Sequence, residues 1–431
     1  MIIDINKLIG RRNGIIKEII ETYIDRNEPE FFSFAAQRGL LEWERDKNYR
    51  SLNIGGGGGL TKPEALFGCC GEIAERYCSS FIQANEIIEG SFNELKRNYD
   101  FLDPEGIFLF SENQYKKNDF PFKKFNRDSV IEWTSAYSHK LQKDVYIPAF
   151  LTYLPYDNYE KGGCYYPSSS TGLSCAPSLE EAISKGLLEI IERDAFTIFW
   201  LNQLSPPKIG LDNDKFKELK RKFRFSNIDY SIFDITSDFD IPVVAAFSFS
   251  NSSFGYVASL GLSCSLTYHK AIKKALVENA QGRVAVAFHR KNDPEKKYRS
   301  DFKDVLNFED HSYLYSTDES LKKKLDFLDK SKVIQEPEEK AKKVSLKELI
   351  EKFTEKDLDV FVKELTTSDI NDVGLKVVRV IVPGMVYLHG MHPFPFLGSP
   401  RIYRPSEIFK WCNKKTSTEE EIINFPPHML G

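Results

Sequence analysis

The chain is poor in several features that would each have assigned it to a class. It lacks a basic excess: 59 Lys and Arg face 63 Asp and Glu, a formal net charge of −4. A protein holding long nucleic acid through phosphate contacts is more often basic, so no nucleic-acid partner is expected. It has no apolar run approaching the roughly 20 residues needed to span a bilayer, so no membrane partner is expected. Its first residues, MIIDINKLIGRRNG, carry acids early and no long apolar stretch, which argues against a signal peptide. The seven cysteines form no CxxC pair and no regular framework, so a reduced, cytoplasmic protein without a structural zinc site is the expectation. There is no GxxxxGK[ST] loop. No GxGxxG opens a helix with a suitable acid downstream, so neither a P-loop nor a Rossmann site is supported.

What is present is an aromatic-rich chain of 431 residues, with 33 Phe and 20 Tyr, long enough for several domains or one large one. Residues 1–45 read as a helical lead-in, on the spacing of Ile15, Ile16, Ile19, Ile20 and Tyr23. Ser51 to Ile54 reads as a short strand running into Gly55–Gly59, a run that taken alone is a flexible loop. Helices are expected at about 62–84, 178–202 and 268–289, the second with Ser178 as N-cap and Glu181 at capping-box spacing. Residues 290–365, with KKKLDFLDKSKV and KAKKVSLKELIEKF, read as a charged, solvated insertion carrying an amphipathic helix near 345–356. The stretch 374–388 is the most strand-like, and beyond 390 the tail is punctuated by proline.

Self-similarity is the most informative signal. Gly172-Leu173-Ser174 is followed by Ala182, Glu189 and Glu192; Gly261-Leu262-Ser263 is followed at the same offsets by Ala271, Glu278 and Gln281. Gly59-Leu60-Thr61 begins a third copy, with Ala65, Glu72 and Glu75 and a loop four residues shorter. Each copy reads as strand, turn and helix. Positions i, i+3 and i+7 share one helical face. Each face therefore carries a small residue and two oxygen-bearing side chains among apolar neighbours. Glu72, Glu75, Glu189, Glu192 and Glu278 brought together would repel unless cations intervene. Arg193 and Arg283 balance part of that charge. The rest is either an internal salt-bridge network or a site for Mg²⁺, which takes hard oxygen ligands and bridges to phosphates.

These segments, GGGGGLTKPEALFGCCGEIAERY, STGLSCAPSLEEAISKGLLEIIERDAF and LGLSCSLTYHKAIKKALVENAQGR, resemble the YcaO-domain family. With VVRVIVPGM and HPFPFLGSPRIY they are most similar to its SagD-type cyclodehydratases, over about residues 46–431. The resemblance implies an α+β (mixed α/β) fold with strand–turn–helix units around an ATP site. By position it implies Glu72, Glu75, Glu189 and Glu192 as Mg²⁺ ligands, to which the repeat adds Glu278, and Ser174, Glu181, Arg193, Gln281 and Arg283 as nucleotide contacts, Arg283 near the phosphates. Arg283, Gln281 and His428 stand as catalytic candidates, with His428, a Glu or Asp of the helices, or the Gly431 carboxylate as proton acceptor. Departures are Gly58 and Pro177, where the family often has Lys and Asn or Gly, and a tail, NFPPHMLG, that is a degenerate PxPxP.

The implied chemistry is attack of a Cys, Ser or Thr side chain of a ribosomally made precursor peptide on the preceding amide. The amide oxygen is then phosphorylated by ATP and lost, leaving an azoline. Thioamide or amidine formation, or a non-catalytic docking subunit, are the rival readings. The enzyme's own cysteines read as packing residues. The precursor peptide, a separately encoded E1-like or leader-binding protein and a second copy of the chain are the expected partners.

Overall fold

The computed structural model describes residues 3–39, 53–82, 84–156, 164–335, 337 and 344–431. In chain order its strands are β1 (Ile16–Glu21), β2 (Phe32–Arg38), β3 (Ile54–Gly59), β4 (Ile87–Gly90), β5 (Ile131–Ser138), β6 (Lys143–Pro148), β7 (Leu173–Ala176), β8 (Lys208–Gly210), β9 (Asp229–Asp234), β10 (Val243–Ser252), β11 (Gly255–Cys264), β12 (Val333–Gln335), β13 (Phe361–Glu364) and β14 (Lys376–Ile381). The helices that shape the site are α1 (Lys62–Ser79), α2 (Leu179–Leu201), α3 (Tyr268–Asn292), α4 (Phe308–Thr317) and α5 (Leu346–Thr354).

The strands form three sheets, ordered β1-β2-β3, β11-β10-β9-β8-β12 and β4-β5-β13-β14-β7, with β6 pairing on β5. All pairings are antiparallel except β8 with β12. Among the described residues β3, β7 and β11 each end their sheet, and each leads into a long helix that packs back over it. α2, buried along most of its length, lies in the largest core, between sheet strands, α5 and the C-terminal tail. α1 closes a second core over the sheet of β5 and β14, and α3 a third over β10. The mixed α/β class is as the sequence implied.

Three expectations are corrected. The segment before 40 is not a helical lead-in: Ile16, Ile19 and Ile20 belong to β1, paired with β2. The alternation of β1 faces overrides a spacing that a helix would also satisfy, because β2 supplies an edge to pair with. Ser51 and Leu52 lie outside the described residues, as do residues 40–45. The glycine run is not a loop but strand β3. Gly57 makes the reason plain: a Cβ there would come within 2.2 Å of the Ala65 carbonyl oxygen and the Cys69 nitrogen of α1. Finally, the charged insertion is not solvated throughout. α5 is the expected amphipathic helix, with a capping box at Ser345 and Leu349 and Phe353 buried, but α4 is buried over Asp310 to Ser316.

Among the described residues no helix is long and apolar enough to cross a membrane.

Candidate active site

The three repeated units superpose without a gap once the first is started at Gly55. Counting from Gly55, Gly172 and Gly261, the N-cap falls six residues on in every copy: Thr61, Ser178 and Thr267. Each accepts the N–H of the residue three further, Glu64, Glu181 and Lys270. The small residue is at +10 and the oxygen-bearing pair at +17 and +20. The Gly59-Leu60-Thr61 alignment and its shortened loop are therefore corrected, because five identical glycines carry no internal marker of register. The strand–turn–helix reading stands, but Leu-Ser lies in the strand, not in the turn: Leu173-Ser174 in β7 and Leu262-Ser263 in β11.

An edge strand presents N–H groups with no strand partner. Here the carboxylates take them. The +1 amides of Gly56 and Leu262 donate to Glu72 and Glu278 of the same unit, at 2.7 and 2.6 Å. The +3 amides of Cys175 and Cys264 donate to Glu75 and Glu192 of the preceding unit, both at 2.7 Å. The third link closes the ring: Gln281, at +20 of the last unit, packs on Gly58, at +3 of the first, where a Cβ would lie 2.6 Å from its amide carbon. The units thus form a cycle in which each helix rests on its own strand and on the next one. Glu189 is the exception, since Leu173 gives its N–H to Ser170.

Oxygens of three of the acids converge on Arg193. Its Nε lies 3.4 Å from Glu192 Oε1 and 3.8 Å from Glu189 Oε1, and one Nη is 4.0 Å from Glu278 Oε1. Arg76, at the matching place in the first unit, donates to Glu72 at 3.3 Å. Lys185 and Lys274, both at +13, flank the group, and Lys185 donates to the Cys175 carbonyl at 2.7 Å. Arg76, Lys185 and Lys274 were missed in the sequence; the repeat itself signals them once its register is right.

Burial and mutual repulsion show in the titration of these groups. Glu75 is pushed up to about 7 by desolvation, offset by Lys185 and reinforced by Glu189 and Glu72. Glu278 is likewise pushed up to about 7, by desolvation and then Glu192. Glu189 is raised by desolvation, against Arg193. Desolvation draws Lys274 down. The carboxylates are nonetheless reachable: the side chains of Glu189 and Glu278 keep 27% and 35% of their accessible surface. Oriented oxygens, backbone donors behind them and unrelieved acid–acid repulsion together fit a divalent cation and a phosphate chain.

The remaining predicted residues differ in their placement. Ser174 is buried, its hydroxyl donating to the Ala182 carbonyl at 2.6 Å. Glu181 is exposed on the first turn of α2. Arg283 is corrected outright: it is fully buried and bonded through Nε and an Nη to both oxygens of Glu28, at 2.5 and 2.9 Å, and to Ser248 and Ser250. Five residues beyond Glu278, it stands about 140° around the helix, facing away from the acids. His428 is no mobile proton acceptor. Its ring is buried, Nε2–H donates to the His389 carbonyl at 2.9 Å, Nδ1 accepts from Leu430, and desolvation lowers it to about 3. The cysteines of the repeats are buried thiols: Cys69 is pushed up to about 12 and Cys70 to about 11 by desolvation. Cys175 and Cys264 are raised likewise, which leaves none a nucleophile.

A cyclic fold of edge strands and acid-bearing helices around a cation and phosphate cleft defines a nucleotide-binding class without a P-loop. The chain belongs to the YcaO family: residues 56–386 match the family described as YcaO cyclodehydratase, ATP- and Mg²⁺-binding. ATP and Mg²⁺ are the cofactors of that family, and the cleft fits them. Among solved structures, a heterocyclase in complex with substrate and cofactor is similar with a TM-score of 0.77, at 24% identity over 96% of this chain and 55% of that one. The chain therefore spans about half the length of that heterocyclase. YcaO from Methanopyrus kandleri, bound with AMPPCP and Mg²⁺, is similar with a TM-score of 0.59, at 20% identity, covering 86% of each chain. The E. coli microcin synthetase McbBCD complex is similar with a TM-score of 0.60, at 17% identity, covering 95% of this chain and 96% of that one.

Proposed function

We propose that the chain is an ATP-dependent peptide cyclodehydratase of the SagD type, which turns Cys, Ser or Thr residues of a ribosomally made precursor peptide into thiazolines or oxazolines. The observation that carries the reading is the cycle of strand–helix links, closed by Gln281, with Glu189, Glu192 and Glu278 gathered within 4.0 Å of Arg193. Glu72, Glu75, Glu189, Glu192 and Glu278 hold Mg²⁺, and Arg76, Arg193, Lys185 and Lys274 supply positive charge for phosphate oxygens. Bound ATP supplies a phosphoryl group that makes an amide oxygen a good leaving group. The protein's part is then positioning and charge neutralisation, and its backbone-anchored carboxylates are rigid enough for both. Gln281, packed on the glycine strand, borders the same cleft. Neither Arg283 nor His428 is assigned a catalytic part.

The substrate reading draws support from the heterocyclase relative solved with its substrate, and the partner reading from the McbBCD assembly. A separately encoded leader-binding protein and a second copy of the chain are accordingly proposed as partners. Seven free cysteines suit a cytoplasmic location.

The test is to incubate the chain with ATP, Mg²⁺ and a Cys- and Ser-rich precursor peptide, with and without the leader-binding protein. The expected product has lost one water per ring, with one phosphate released, faster when the partner is present. Exchange of oxygen for sulfur would mean a thioamide instead. Absence of ATP turnover under every condition would leave only a docking subunit.

A further inference from the structure

The three repeated units part company at one point. In the first and third, the +1 amide serves the +17 carboxylate: Gly56 donates to Glu72 and Leu262 to Glu278. In the second, the Leu173 N–H turns to the Ser170 carbonyl at 2.9 Å, and among the described residues no hydrogen-bond donor takes its place on Glu189. Glu189 is left with Arg193 Nε at 3.8 Å, a guanidinium it shares with Glu192 and Glu278.

The neighbouring strand changes in that same unit. Gly56 pairs with Ala35 of β2, and Leu262 pairs with Ala245 of β10. Leu173 pairs with Arg379 of β14. Residues paired across two strands carry their side chains on one face. The unit that has lost the amide has therefore gained a guanidinium at the same level, where the other two carry only a methyl group.

Arg379 is 2% exposed. Its Nε donates to the Leu151 carbonyl at 2.9 Å and one Nη to the Ser169 carbonyl at 2.6 Å, while the other Nη has no partner. Among the described residues it forms no ion pair. Two carbonyls call for donors but not for a charge, and a buried charge without a bonded counterion is costly. An acid acting through space offsets that cost. Glu189 favours the charge of Arg379 and Arg76 opposes it, and Glu189 in turn feels Arg379. Tyr166 and Tyr387, the other groups beside it, are phenols kept neutral by burial.

We propose that Arg379 is the positioning residue of the second unit: its fixed charge stands behind Glu189 in place of the missing backbone N–H and holds that carboxylate among the other acids. The inference rests on the reading of Glu189 as a cation ligand. Arg379 itself touches neither the ion nor the nucleotide and acts through Glu189.

The experiment uses the full chain and compares Arg379→Gln, which loses the charge and keeps an N–H donor, with Arg379→Lys, which keeps the charge. Each is made alone and together with Glu189→Gln. With a chelator and no nucleotide, Arg379→Gln should lower the melting temperature, and should lower it less where Glu189 is already neutral. By calorimetry, Arg379→Gln should weaken Mg²⁺-dependent ATP binding about tenfold, and Arg379→Lys should restore most of it. In the Glu189→Gln background, Arg379→Gln should weaken ATP binding no further. Additive melting shifts, an ATP loss of equal size in both backgrounds, or an Arg379→Lys chain no better than Arg379→Gln would overturn the proposal. If Arg379→Gln alone does not fold, the double variant should; failure of both overturns it as well. A wild-type chain that binds no ATP would refute the nucleotide reading instead, and the melting cycle, which needs no ligand, would still decide this one.

Discussion

Glu192 on α2 accepts the backbone N–H of Cys264 in β11 at 2.7 Å, so a helix of one unit is pinned to the edge strand of the next. The same oxygen pattern recurs between Glu75 and Cys175. These bonds separate two roles of one carboxylate: one oxygen completes the fold, and the other carries charge toward Arg193.

The separation gives a first prediction. Glu192→Gln can keep an oxygen on the Cys264 amide and lose the charge. Its melting temperature should stay near wild type while Mg²⁺-dependent ATP binding, measured by calorimetry, weakens at least about tenfold. Glu72→Gln and Glu189→Gln should behave alike. Glu192→Ala should in addition cost about 1–3 kcal/mol of stability, because a buried N–H is left without its acceptor.

Glu75 and Glu278 give a pH dependence. Each titrates at about 7 in the folded chain, against 4.5 for an unperturbed glutamate. Between those values the folded chain binds more protons than the unfolded one, so stability falls as pH rises from about 4.5 to about 7 and levels off above. Melting curves in the presence of a chelator should show that fall, and Glu75→Gln should flatten it. With Mg²⁺ and ATP the trend reverses, since a metal displaces those protons and binds better at higher pH.

Much of this site was legible because three copies of one unit repeat in the chain. The acids at +17 and +20 could be read from spacing and helical period alone. The register of the first copy could not, since nothing distinguishes Gly55 from Gly59 until the N-cap Thr61 is placed against Ser178 and Thr267. Arg283 was misplaced for a geometric reason: two residues from Gln281 is more than half a helical turn, so the pair cannot share a face. The meeting of His311, His389 and His428 left no trace in the sequence, because α4, the segment after β14 and the tail come together only through tertiary packing. The N-terminal strands were equally hidden, their pairing being set by β3.

Arg283 and Glu28 supply a prediction that separates a structural from a nucleotide-binding role. Their side chains are 1% and 8% exposed. Removing one member leaves a buried charge unmatched, so Glu28→Ala should cost about 3–5 kcal/mol in urea denaturation. Replacing both by apolar residues of similar volume should recover much of that loss. ATP affinity of the folded double variant should stay within about twofold of wild type; a large drop would return Arg283 to the phosphate site.

The glycine strand provides the last prediction, because two neighbouring glycines are required for different reasons. At Gly57 a Cβ would meet backbone atoms of α1, the Ala65 oxygen and the Cys69 nitrogen, at 2.2 Å. Backbone on a packed helix cannot retreat, so Gly57→Ala should force β3 from α1 and cost more than the roughly 1–3 kcal/mol of ordinary overpacking. At Gly58 the nearest atoms belong to the Gln281 side chain, at 2.6–2.7 Å. That side chain can swing away, so Gly58→Ala should leave the melting temperature close to wild type. The displaced amide would move into the cleft beside Gly56, and ATP turnover should fall through a raised KM. A Gln281→Ala partner substitution removes the clash and should restore the KM of Gly58→Ala toward that of Gln281→Ala alone. If the double variant remained as impaired as Gly58→Ala, the link between the third helix and the first strand would not be what shapes this side of the cleft.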